Sequence, residues 1–94
     1  MGFVKISGPV PNPGELRQAG DYAVCNVGGV LYAVDNSCPH HGGPLGMGAL
    51  HGHSITCPWH AWQFDCRTGK CDFNSSSVAT HKVEVRNGEL FIDA

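Results

Sequence analysis

Two short clips constrain this chain more than anything else in it. They are Cys38-Pro39-His40 and Cys57-Pro58-Trp59-His60, with sixteen residues between His40 and Cys57. Each clip couples one thiol to one imidazole, and each opens on Cys-Pro. Two sulfur and two nitrogen donors can hold a single zinc ion or a mixed-ligand iron–sulfur cluster. A fold that carries such a centre must bring two loops to one point.

The rest of the sequence excludes several alternatives. Ninety-four residues make one small domain, 1–94, whose core is marginal without a metal centre to help it. The formal charge is −2, and no basic run interleaves with aromatics, so nucleic acid is not expected as a partner. No apolar run approaches the ~20 residues of a membrane span, and the first residues lack a signal-peptide pattern. Five cysteines without such a signal point to a reducing compartment, read as the cytoplasm, where ligation is favoured over disulfides.

The outer thirds read as β. Phe3 to Ile6, Tyr22 to Val27, Val30 to Val34, Ser54 to Thr56, Trp62 to Asp65, Cys71 to Phe73, His81 to Arg86 and Glu89 to Ile92 are strand candidates. Gly28-Gly29 and Asn87-Gly88 are hairpin signals, and Arg67 to Lys70 is a turn. The proline-rich segment 8–14 cannot keep a ladder. Glu15 to Gln18 reads as a brief turn, and residues 38–50 as a glycine-rich loop. The expected fold class is all-β: a small antiparallel sandwich with a loop-rich, ligand-bearing subdomain over about 38–65.

Ligand order separates the two metal readings. A Cys2His2 zinc finger usually groups its cysteines in one knuckle and its histidines on a helix. Here the order is Cys, His, Cys, His, and nothing nearby is helical. A two-iron cluster explains it better, with Cys38 and Cys57 on one iron and His40 and His60 on the other. A structural zinc module stays as the rival of another class.

The Cys-x-His and Cys-x-x-His pattern resembles the Rieske family. So do Gly42 and Leu45, the Trp62 to Asp65 strand, Arg67 to Lys70, and Glu84 to Ile92. The resemblance implies a Rieske-type [2Fe-2S] cluster, one per chain. It places Cys38 and Cys57 on an inner iron, and His40 and His60 on an outer, solvent-facing iron. Two thiolates and two neutral imidazoles leave the oxidised site uncharged, whereas four thiolates would leave it at −2, so the electron is accepted more easily.

Respiratory members of that family carry a disulfide between the two loops; the matching positions here are Gly43 and Trp59. They also place hydroxyls near the cluster sulfurs, where this chain has Trp62 and Phe64. Fewer hydrogen bonds to sulfur predict the low end of the family's potential range.

The resemblance thus implies a one-electron carrier rather than an enzyme. Its donor would be a reductase, by family analogy a flavoprotein, and its acceptor an aromatic ring-hydroxylating oxygenase. The alternative is the small subunit of an assimilatory NAD(P)H nitrite reductase, with that enzyme's large subunit as acceptor. Ala61 departs from the glycine common at its place.

Other residues have plainer readings. Cys25 is a core residue. Cys66 and Cys71 flank a turn and could face each other, although a reducing compartment favours free thiols. His41, His51, His53 and His81 are read as surface residues. Gly42, Gly43, Gly46 and Gly48 are expected to bring backbone and N–H donors to the cluster. Pro44, Leu45 and Trp59 are expected to form an apolar docking rim.

Overall fold

A computed structural model describes residues 2–38, 42–59, 62–72 and 75–93. Its strands are β1 (Phe3–Ile6), β2 (Leu16–Ala19), β3 (Tyr22–Val27), β4 (Val30–Asp35), β5 (Ala49–His51), β6 (Ser54–Thr56), β7 (Gln63–Asp65), β8 (Thr80–His81), β9 (Val83–Arg86) and β10 (Glu89–Asp93). One 3-10 turn, Leu45–Met47, interrupts them. All named pairings are antiparallel, in three sheets ordered β1-β10-β9, β2-β3-β4-β8 and β5-β6-β7. The all-β expectation holds.

The middle sheet is covered on both faces. Side chains alternate along a strand, so neighbouring residues serve opposite sides. Ala23 and Cys25 of β3 and Val34 of β4 join a core with Leu45, Ile55 and Phe64 on the β5-β6-β7 side. Val24 and Ala33 point the other way, to Leu90 and Ile92 of β10. Double coverage explains why β3 reads as an almost unbroken apolar run rather than an alternating one.

The hairpin signals act as expected. Gly28 and Gly29 have φ of 62° and 97°, and Asn87 and Gly88 have 52° and 76°. These left-handed conformations match the turn to the twist of its strands. The proline-rich segment is held by Asn26, a buried polar residue. Its side-chain amide donates to the Pro11 carbonyl at 3.0 Å and its side-chain oxygen accepts from the Gly29 N–H at 2.8 Å.

Four local expectations need correction. Leu16–Ala19 is a strand, not part of a turn, because pairing with β3 overrides its weak propensity. Ala49–His51 inside the presumed loop is also a strand, turned back onto β6 at Gly52 (φ 60°). The His81 to Arg86 strand breaks at Lys82: His81 pairs with β4, and Val83 onward pairs with β10. Cys71 makes a lone bridge to Phe64 instead of opening a strand, and Phe73 lies outside the described residues.

The 3-10 turn sits directly on β2. A Cβ built on Gly46 would lie 2.6 Å from the Gln18 Cα and 2.7 Å from its nitrogen. Both are backbone atoms and cannot swing aside. Gly46→Ala should therefore lower stability by about 2 kcal/mol, in the range of overpacked cores. Urea unfolding followed by tryptophan fluorescence measures it; an unchanged midpoint would show that the turn moves freely off β2.

Candidate metal centre

The first clip leaves the end of β4. Asn36 anchors it there: its carbonyl accepts the Leu45 N–H and its side-chain oxygen accepts the Gly46 N–H, both at 2.7 Å. Ser37 and Pro44 bridge across the base of the loop. Inside that base the Cys38 N–H donates to the Gly43 carbonyl at 2.8 Å, and the Gly42 N–H donates to the Cys38 carbonyl at 2.7 Å. Gly42 has φ 72°, which lets so small a loop close.

The second clip is the connection between β6 and β7. Thr56 and Gln63 are the last paired residues, and the Cys57 N–H donates to the Trp62 carbonyl at 2.8 Å. Each loop is thus closed by a backbone hydrogen bond from its cysteine. Both cysteines belong to the core on the β5-β6-β7 side, at 2% and 1% exposure.

The loops meet at Gly43. A Cβ there would lie 3.0 Å from Cys57 Sγ and 3.1 Å from the Trp59 ring. The sulfur of one clip therefore rests against the backbone of the other, and a side chain at Gly43 would require Cys57 and Trp59 to shift. Two buried thiols on one core, one of them against the loop that the other closes, suit an iron that accepts two thiolates. His40 and His60, with Pro39, His41 and Ala61, lie outside the described residues. Among the described residues no group of three or more metal-binding side chains converges. The donor set fits a centre completed by those two histidines.

The positions matched to the respiratory disulfide, Gly43 and Trp59, are in contact. Phe64 is fully buried and Trp62 packs on the same core. The two positions where respiratory relatives carry hydroxyls are thus apolar and close to the site.

The other glycines and apolar residues divide differently from expectation. Gly46 and Gly48 serve packing, against β2 and the Thr56 carbonyl respectively. The Gly46 N–H goes to Asn36 and the Gly48 N–H to the Leu45 carbonyl. Leu45 is fully buried and cannot form a docking rim, while Met47 and Trp59 are 68% and 59% exposed.

His81 also differs from its surface reading. Its Nε2 lies 2.7 Å from Asp35 Oδ1, and its ring meets Tyr22 edge-on at 4.9 Å. His53 is half-buried, with its ring 5.7 Å from that of Tyr32. His51 is exposed.

Cys66 and Cys71 are not joined by a disulfide. The sulfur partner of Cys66 is Cys25, a contact across sheets with no trace in sequence spacing. Hydrogen bonding to Cys66, and then burial, hold the Cys25 thiol far above the ordinary thiol range. Asn36 is the functional residue that sequence reasoning missed; its position just before the first clip was the available signal.

A family model for the Rieske [2Fe-2S] domain matches residues 8–85. The chain belongs to the Rieske family. Its cofactor is the family's [2Fe-2S] cluster. The ferredoxin component of the naphthalene 1,2-dioxygenase system of Pseudomonas putida is 36% identical over 75 residues, covering 78% of this chain and 72% of that one. The ferredoxin of Sphingomonas yanoikuyae B1 superposes with a TM-score of 0.84 at 27% identity, over 99% of both chains. A solved complex of reduced oxygenase and oxidised ferredoxin in carbazole 1,9a-dioxygenase matches at a TM-score of 0.76 and 31% identity, over 87% of this chain and 91% of the matched one.

The hairpin that follows the second loop is set by Asp65. Its carboxylate accepts the Arg67 backbone N–H at 2.8 Å and two guanidinium bonds at 3.0 and 2.8 Å. The Arg67 side-chain hydrogen bond is the main reason its pKa falls from 3.8 to about 2. A carboxylate with a lowered folded pKa adds stability above its unfolded pKa and loses it as pH falls through the folded one. Allowing for solvent screening of a part-exposed pair, Asp65→Asn should cost about 1 kcal/mol at neutral pH. The gap from wild type should close between about pH 4 and pH 2 in urea melts; a gap constant with pH would rule out the ion pair as its source.

Proposed function

We propose that this chain is a one-electron carrier whose cluster is held by Cys38 and Cys57 on the inner iron and by His40 and His60 on the outer iron. The observation that carries the reading is that Cys57 Sγ lies against Gly43, in the loop that Cys38 closes, with both cysteines buried on one core. When bound, the cluster supplies a reversible one-electron couple. The residues around it hold it and set its potential. Neither Trp62 nor Phe64, both packed in that core, carries a hydroxyl to donate to the sulfurs. The reduced state then gains little from hydrogen bonding, which keeps the potential low.

The donor in this reading is a reductase, and the acceptor is a ring-hydroxylating oxygenase. Relatives named as ferredoxin components of dioxygenase systems favour an oxygenase over a nitrite reductase. The chain works as a single domain over 1–94, with its cluster-binding part at about 38–65. Its place of action in this reading is the cytoplasm; among the described residues no helix is long and apolar enough to cross a membrane.

Purified protein should be red-brown, with two irons and two sulfides per chain and a reduced-state EPR signal of the mixed-ligand type. Cys38→Ser and Cys57→Ser should abolish the visible absorbance, whereas Cys71→Ser should keep it. Colourless protein with stoichiometric zinc would establish the structural-module alternative instead. The midpoint potential should lie nearer roughly −150 mV than +300 mV. A value well above zero by protein-film voltammetry would refute the argument from Trp62 and Phe64.

A further inference from the structure

Between Asp35 and Asp65 the sequence contains no Asp, Glu, Lys or Arg. All six basic and all eight acidic residues lie outside this stretch. It includes both clips, the 3-10 turn, β5 and β6. Of the charges bordering it, Arg67 closes on Asp65 at 2.8 Å and, on the β2 side that carries the turn, Arg17 closes on Glu15 at 3.3 Å, while Asp35 meets the His81 ring at 2.7 Å and shares a groove with Asp21 at the foot of the first loop. The cluster-bearing end therefore presents no fixed formal charge of its own.

That end has an apolar flank. Met47, Ala49, Pro58 and Trp59 are exposed and line one open groove of about 680 Å³, whose lining also includes the buried Cys57. A thioether and an indole side by side give adaptable and rigid contact area, the kind that anchors protein interfaces. The other large exposed apolar residues among the described ones, Val4, Val30 and Val85, lie on β1, at the start of β4 and on β9.

We propose that the Met47–Trp59 flank is the surface that docks the oxygenase, and that it does so by apolar contact without charge steering. The inference rests on the electron-carrier reading above and adds the face and the chemistry of the partner. That partner surface is uncharged and apolar, because a charge set against this flank would be desolvated with nothing to pair it. The oxygenase is the chosen occupant because a fold relative at 31% identity is a ferredoxin in complex with one. The flank runs to Cys57, so docking there brings the acceptor beside a proposed cluster ligand. Small contacts, under about 1,200 Å², suffice for such encounters. Long-range electrostatic attraction speeds association only where charges face each other and is screened by salt. Here association should be slow in absolute terms and nearly indifferent to salt.

The test is stopped-flow transfer from reduced holoprotein to the oxidised oxygenase component of the naphthalene 1,2-dioxygenase system. The second-order rate should change by less than about twofold between roughly 20 and 500 mM NaCl. Met47→Asp should lower it at least tenfold. Val30→Asp, an equal charge placed at the exposed start of β4, should leave it unchanged. Potential and EPR spectra should match across all three proteins, which excludes damage to the cluster. A rate that falls steeply with salt overturns the proposal, as does a Met47→Asp protein indistinguishable from Val30→Asp. So does a Met47→Asp defect confined to reduction by the reductase, or to self-association seen by sedimentation, which would assign the flank to the donor or to a second copy. Holoprotein that passes no electron to the oxygenase at any concentration sinks the carrier reading itself, and the docking proposal with it.

Discussion

The site depends on the contact between Cys57 Sγ and the backbone of Gly43. A centre with ligands from two loops needs both loops fixed before it binds, or the ordering cost falls on binding. Each loop is closed by its own cysteine N–H, to Gly43 in one case and Trp62 in the other. Closure leaves the two sulfurs buried on the same core rather than turned to solvent. Gly43 then sets how closely the loops stack, because any side chain there would push Cys57 and Trp59 away.

The rest of the fold keeps those loops in register. The middle sheet, buried on both faces, gives the first loop a rigid origin at the end of β4. Asn36 fixes the 3-10 turn to that origin through two short bonds, and Gly46 lets the turn lie flat on β2. The second loop takes its position from the β6–β7 hairpin, whose far end is tightened by Asp65 and Arg67. Stability and function thus share the same elements, as suits a core too small to support a loose site.

The uncharged stretch between Asp35 and Asp65 gives this arrangement a division of labour. Fixed charges populate the supporting sheets, where Lys5 pairs with Glu89 and Arg86 with Glu84. The end that meets a partner is left to apolar contact around Met47 and Trp59.

The two Cys/His clips, their order and the hairpins at Gly28-Gly29 and Asn87-Gly88 are legible in the sequence, because side-chain chemistry and local φ need no tertiary information. The sequence also marked the apolar strands that become the doubly covered sheet. Long-range packing set the strand state of Leu16–Ala19, the break at Lys82 and the pairing of Cys25 with Cys66. It alone decided that Leu45 is core while Met47 is surface, and that Gly43 is the glycine serving the site while Gly46 and Gly48 serve packing. Each of these turns on which segment, distant in the chain, lies opposite in space, and neither local propensity nor motif spacing carries that information.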